Sequence, residues 1–136
     1  MIAGDVQADA DQLAHHLRDA GEIIGIYSLE DPRDGEIFYV GRSVVPKRRL
    51  GEHITEARSG RMENRALRRW LLQLDALGMR PVLNIEAECR SPYEADVEEQ
   101  RLIQHYGRLY PLLNLHHNPR YTQTRPFTKR YLKQVL

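Results

Sequence analysis

Two tripeptides carry the residue types that could do chemistry: Gly25-Ile26-Tyr27 and Tyr39-Val40-Gly41, each with a tyrosine in a short β-rich run, followed by the basic run Pro46-Lys47-Arg48-Arg49. Two phenols facing a cationic helix suit the breaking of a phosphodiester. That reaction needs a base to deprotonate water, positive charge to stabilise pentavalent phosphorus and, usually, a metal ion held by a carboxylate. On the helix expected after the second tripeptide, Arg49 and His53 are one turn apart and share a face near Tyr39. Tyrosine, arginine and histidine cover the first two needs. The carboxylate must come from later in the chain, where a helix expected from Pro92 to about Tyr106 offers Glu94, Asp96, Glu98 and Glu99. With Val97 and Leu102 or Ile103 toward the core, spacing alone does not choose among the four.

The elements that must position these residues follow from local signals. Glu22 to Leu29 reads as a strand, Asp31-Pro32-Arg33-Asp34-Gly35 as a turn and Glu36 to Gly41 as a second strand, which together make a hairpin. Pro46 suits the first turn of a helix to about Ala57, and Ser59-Gly60 ends it. Leu67, Trp70, Leu71 and Leu74 recur at helical spacing in a second helix from about Glu63 to Leu77, stopped by Gly78. Arg80 to Glu88 reads as a third strand. Ser91 then caps the carboxylate-bearing helix, and the chain is loop-like from Gly107 through Pro119. Upstream, Asp9 or Asp11 caps a short accessory helix through Leu13, Leu17 and Ala20, and Thr128 to Val135 reads as a final basic helix. The order predicts an α+β fold, a small three-stranded antiparallel-type sheet flanked by helices. The domain spans 22–118, with the accessory helix in 1–21 and a basic tail in 119–136.

Bulk properties set limits. A chain of 136 residues, 41% hydrophobic, holds one compact domain and no separate recognition domain. The net charge is only +1, but it is unevenly spread. Asp5 to Glu36 is mostly acidic, arginines dominate from Arg42 through Arg69, and the tail from Arg120 to Lys133 has no acidic residue, so one face can be basic. The candidate nucleic-acid contacts are Arg42, Lys47, Arg48, Arg120, Arg125, Lys129 and Arg130. The single Cys89 excludes an intrachain disulfide and a cysteine-cluster zinc module, and it reads as a packed thiol. The absence of a long apolar run or a signal-like start leads to the expectation of a cytoplasmic protein with no membrane partner. Trp70 reads as core, and His15-His16 and His116-His117 as surface histidines whose neighbours point apart.

Five elements in order resemble the GIY-YIG nuclease domain: Gly25-Ile26-Tyr27; Tyr39-Val40-Gly41; the helix with Arg49 and His53; Glu99 followed one turn on by Ile103; and Asn114 after Pro111-Leu112-Leu113. The resemblance covers about Glu22 to Asn114. It implies a metal-dependent endonuclease acting on DNA, with RNA as a further possible substrate, a Mg²⁺ or Mn²⁺ cofactor, and a monomer or homodimer. Tyr27 would be the general base, with Tyr39 helping to lower its pKa. Arg49 would stabilise the phosphorane, Glu99 would hold the metal, Asn114 would brace the site, and His53 would contact the phosphate or relay a proton. A phenolate at Tyr27 calls for a positive field, for which Arg42, Arg48 and Arg49 are candidates. Met62 or Glu63 stands where some homing members carry a second histidine. The alternative is a non-catalytic nucleic-acid-binding module of a repair or mobile-element complex, which would bind DNA and cleave nothing.

Overall fold

The computed structural model of the chain describes residues 22–122. The accessory helix read before residue 22, the helix read over Thr128 to Val135, and Arg125, Lys129 and Arg130 lie outside the described residues.

Strand β1 (Ile24–Glu30) is buried on both faces: Ile26, Tyr27, Ser28 and Leu29 are all at most 1% exposed, which requires cover above and below. It accordingly takes the centre of a sheet ordered β2-β1-β3, with β2 (Ile37–Ser43) and β3 (Val82–Cys89) both antiparallel to it. On one face Tyr27 and Leu29 pack with Leu50, Ile54 and Ala57 of α1 (Pro46–Ser59) and Leu67, Trp70, Leu71 and Leu74 of α2 (Arg65–Ala76). On the other, Ile26, Val40 and Cys89 pack with Ala95, Leu102 and Ile103 of α3 (Pro92–Leu109).

Two irregularities shape the sheet. Leu29 pairs with Tyr39 while Glu30 pairs with Ile37, so Phe38 is the extra residue of a bulge in β2. Phe38 and Tyr39 both pack against the α1–α2 cluster, Phe38 with its ring centroid 5.0 Å from that of Trp70. A second bulge lies opposite Tyr27, where Glu86 is left over between Ala87, paired with Ile26, and Ile85, paired with Tyr27. Glu86 Oε2 accepts the Ser28 hydroxyl at 2.7 Å and Oε1 accepts the Tyr106 hydroxyl at 2.9 Å, so the extra residue satisfies a buried serine and ties β3 to α3.

The helix boundaries refine the sequence reading. Helix α1 runs to Ser59 and closes on Gly60 in the left-handed region. Helix α2 starts at Arg65 rather than Glu63 because Asn64 caps it, its side chain accepting from the Leu67 N–H at 3.1 Å. Helix α3 does not stop at Gly107. A β-carbon there would lie 2.5 Å from Pro119 Cδ and 2.6 Å from Asn118 Oδ1, so this glycine is a packing site inside the helix, and the next helical turn, α4 (Pro119–Thr122), rests against it. Val97, read as facing the core, is 48% exposed, and Ala95 takes the inward position.

The hairpin turn is pinned by Asp31, a carboxylate only 1% exposed. It accepts the Trp70 indole N–H at 2.8 Å and, from Arg33, the backbone N–H at 2.8 Å, Nε at 3.0 Å and Nη2 at 2.8 Å. Those bonds, the guanidinium first, hold its pKa down from 3.8 to about 2 against the opposing effect of burial. A depressed carboxylate stabilises the fold fully above its unfolded pKa and loses that contribution on acidification, so stability due to Asp31 should disappear as pH falls from 3.8 through about 2. Asp31→Asn should cost about 1–3 kcal/mol in urea unfolding at neutral pH and flatten the acid limb of the stability curve. Unchanged unfolding would show that the indole and guanidinium do not depend on the charge.

Candidate active site

A cleft of about 780 Å³ opens along the outer edge of β2, between α1 and α3. Its walls carry Tyr39 and Arg42 from β2, Arg49 and His53 from α1, Asp96 and Glu99 from α3, and Asn114 from the loop that follows.

Tyr27 lies beneath. Its hydroxyl is 3.0 Å from His53 Nε2, a buried pair that joins the central strand to α1. The two tripeptides are matched sterically: a β-carbon on Gly41 would sit 2.5 Å from Tyr27 Oη and 3.0 Å from Tyr39 Cε2, so the third position of the second tripeptide must be bare for the first tyrosine to lie flat. Gly25 leaves room in the same way for Pro46 Cγ, at 2.9 Å, and this seats the first turn of α1 against β1. Tyr39 meets the His53 ring edge-on at 5.5 Å.

Burial sets the proton affinities. It raises the Tyr27 phenol well above its ordinary value, and Tyr39 pushes in the same direction, with Arg49 opposing. Tyr39 is also raised by burial, with Glu99 adding to the rise. The expectation that Tyr39 lowers the pKa of Tyr27 is therefore reversed, because a buried second phenol offers no positive charge. His53 is lowered from 6.5 to about 4 by burial and then by Arg49. It is a neutral imidazole at physiological pH, and its Nδ1 has no hydrogen-bond partner among the described residues.

Nor is the cleft cationic, as the basic run had suggested. Among the described residues that line it, Arg42, Arg49 and Arg61 face Glu56, Glu63, Asp96 and Glu99, three positive charges against four negative. Arg49 Nη1 donates to Glu52 Oε1 at 3.2 Å and Glu56 Oε1 at 3.0 Å, carboxylates three and seven residues along its own helix. Arg42 lies 3.6 Å from Glu99 and 3.7 Å from Asp96, and so serves as their counter-ion. Lys47 and Arg48 are exposed, and Arg48 lines a second groove with Gly51, Thr55, Arg58 and Arg80, which meets the cleft at Glu56. Arg120 is exposed in α4, away from the cleft lining.

Of the four carboxylates on α3, Glu99 and Asp96 line the cleft. Glu98 pairs with Arg101, and Glu94 accepts the Arg90 N–H beside the Ser91 cap. Burial raises the Glu99 pKa, with Arg42 opposing. Asn114 is 7% exposed and clamps one residue of β2: its Oδ1 accepts the Val40 N–H at 2.9 Å and its Nδ2 donates to the Val40 carbonyl at 2.8 Å. Leu113 N–H donates to Phe38 O at 2.7 Å on the same edge, and Asn64 Nδ2 donates to Leu113 O at 2.8 Å.

The family model for the GIY-YIG catalytic domain matches residues 23–112. The chain belongs to the GIY-YIG family. No curated protein and no solved structure matches it. GIY-YIG domains are endonuclease domains, so a nucleic acid is the substrate class this family implies. No helix among the described residues is long and apolar enough to cross a membrane.

Several groups on this GIY-YIG cleft were not foreseen. Glu52 and Glu56 could have been found as acids within reach of Arg49 on one helix face, and Asn64 as a capping residue before an apolar run. His116 and His117 are exposed, as read, yet both border the cleft, because His117 adopts a φ of 61° and turns the chain there. No spacing rule signals that turn.

The His53 environment gives a testable pH dependence. A histidine whose folded pKa is depressed contributes stability above its unfolded value and loses it on acidification, so about 3 kcal/mol should be lost as pH falls from 6.5 through about 4. His53→Gln, which does not titrate, should flatten that part of the curve in thermal melts. Equal slopes for the two proteins would count against a neutral buried imidazole. Separately, Gly41→Ala should cost about 1–3 kcal/mol in unfolding, since a rigid buried phenol must move; a melting temperature equal to wild type would contradict the packing described.

Proposed function

We propose that this chain is a divalent-metal-dependent DNA endonuclease whose cleft hydrolyses phosphodiester bonds with Tyr27, Tyr39, His53, Arg49, Glu99 and Asn114. The observation that carries the reading is the buried Tyr27–His53 hydrogen bond beside a cleft that also presents Arg49 and Glu99.

A phenol raised by burial is a poor base by itself. The contact with His53 supplies a route: as the attacking water gives its proton to the Tyr27 oxygen, the phenol passes its own to His53 Nε2, and no free phenolate accumulates. His53 is weakly basic while Arg49 stands beside it uncompensated by substrate. A phosphate drawn to the guanidinium brings negative charge close to His53 and weakens the second cause of its depression. Arg49 then offers a planar fork to two phosphate oxygens as charge builds on phosphorus, with Glu52 and Glu56 fixing its starting position. Tyr39 packs edge-on against the His53 ring and so fixes the orientation of the imidazole, and Asn114 holds Val40, between the two site residues of β2, in place.

The donor set fits Mg²⁺ or Mn²⁺. No group of three potential ligands occurs among the described residues, and such ions are often held by one or two carboxylates together with substrate phosphates and water. Glu99, with Asp96 a turn away, would hold the ion, which supplies charge neutralisation at the leaving oxygen and offsets the carboxylate excess of the cleft.

Plasmid nicking with Mg²⁺ tests the proposal. Glu99→Gln should abolish cleavage while DNA binding is kept or tightened, whereas Glu98→Gln should cleave like wild type. The reverse pattern would move the metal ligand by one residue. Binding without cleavage by the wild type, on duplex, branched, single-stranded and RNA substrates alike, would establish the non-catalytic module instead. Arg49→Lys should lose more than about tenfold in rate, roughly 1.4 kcal/mol, because an ammonium cannot present the fork. A smaller loss would remove Arg49 from the transition state.

A further inference from the structure

The arginines of this fold divide by what they touch. Arg33, Arg42, Arg49, Arg58 and Arg101 are in ion pairs with carboxylates, and Arg68 Nε donates to the Ala57 carbonyl at the end of α1 at 3.0 Å. Arg61, Arg65 and Arg69 are exposed and have no ion-pair partner among the described residues. They are neighbours. Arg65 and Arg69 stand one turn apart on the outer face of α2, about 6 Å along the axis, and line a shallow groove with Gly60, Met62 and Leu72. The single acid of α2, Asp75, is held by Arg58 through two bonds, at 3.0 and 2.6 Å, so nothing on that helix neutralises the row.

The groove continues from the catalytic cleft. Met62 lines both, and Arg61 beside it lines the cleft. Glu63 borders the cleft and not the groove. The cleft carries a carboxylate excess and its two central arginines are already paired, whereas this adjoining surface offers unpaired guanidinium groups.

We infer that Arg61, Arg65 and Arg69 form a track for the phosphodiester backbone of the nucleic-acid strand on its way out of the cleft. The inference rests on the nuclease reading for the direction of that strand but not for its attraction to the surface. Affinity is supplied largely along α2, because the groove that holds Arg48 also carries Glu52 and Glu56, the acids paired with Arg49. Guanidinium groups without internal partners release counter-ions from a polyphosphate without first breaking a salt bridge, so binding should carry the salt dependence of this row.

The experiment uses the full chain in excess chelator, which prevents turnover, with short fluorescent DNA duplexes, single-stranded DNA and RNA duplexes over a salt series. Arg65→Gln/Arg69→Gln should flatten the plot of log affinity against log salt by about two and weaken binding at least about tenfold at near-physiological salt. Arg90→Gln/Arg108→Gln removes the same net charge from exposed arginines outside the groove and should leave the slope unchanged. Arg65→Lys/Arg69→Lys should keep the slope, which separates lost charge from a damaged helix. Equal losses in the two glutamine pairs, or no loss in the first pair on any of the three nucleic acids, overturns the track. The substrate on which the loss is largest identifies the strand it serves. Track-dependent binding by a wild-type protein that never nicks DNA with Mg²⁺ would refute the nuclease reading and leave the track standing.

Discussion

A β-carbon on Gly41 would lie 2.5 Å from the Tyr27 oxygen, and the arrangement of the cleft follows from keeping that space for a phenol. With the ring laid across β2, its hydroxyl reaches the third turn of α1, where His53 is the residue it meets. The helix can stand there only because Gly25 admits Pro46 against β1. Two missing methyl groups thus set the separation between sheet and helix, and the partner of each tyrosine follows from that separation. The bulge opposite Tyr27 leaves Glu86 to serve Ser28 on the other face, so the strand that carries the phenol is satisfied on both sides.

The two central arginines of the cleft are held in closed pairs. Arg49 is held by two glutamates of its own helix and Arg42 by two acids of α3. Partly exposed pairs of this kind stabilise little by themselves, but they keep long side chains in a defined place until a stronger anion arrives. A phosphate must compete with Glu52 and Glu56 for Arg49, and this favours a ligand that brings several contacts at once over a stray ion.

Much of this was legible in the sequence because it is local. The hairpin, the apolar spacing of Leu67, Trp70, Leu71 and Leu74, the Ser91 cap and the α+β order all follow from short-range rules, and the structure carries each of them. The candidate residues Tyr39, Arg49, His53, Glu99 and Asn114 were named from motifs, and they line one cleft. What escaped depends on tertiary context. Gly107 looks like a helix stop until Pro119 is seen packed on it, and Val97 looks inward until Ala95 is seen to fill that position. A run of basic residues implies a cationic cleft only until the acids that the fold returns to it from α1 and α3 are in place. The direction of the Tyr27 pKa shift escapes the sequence for a related reason: burial is invisible in a motif.

Asn114 has one more consequence. Its amide occupies both hydrogen-bonding groups of Val40 as a neighbouring strand would, yet a side chain has no next residue with which to continue a ladder. With the Leu113 N–H on the Phe38 carbonyl, this imitation peptide group caps the border of the sheet beside the cleft. Its opposite border, β3, keeps an ordinary strand edge with Val82 and Ile85 exposed, and β1 separates it from β2. Among the described residues β3 is the border left open to a further strand, and lengthening the sheet there leaves the mouth of the cleft clear.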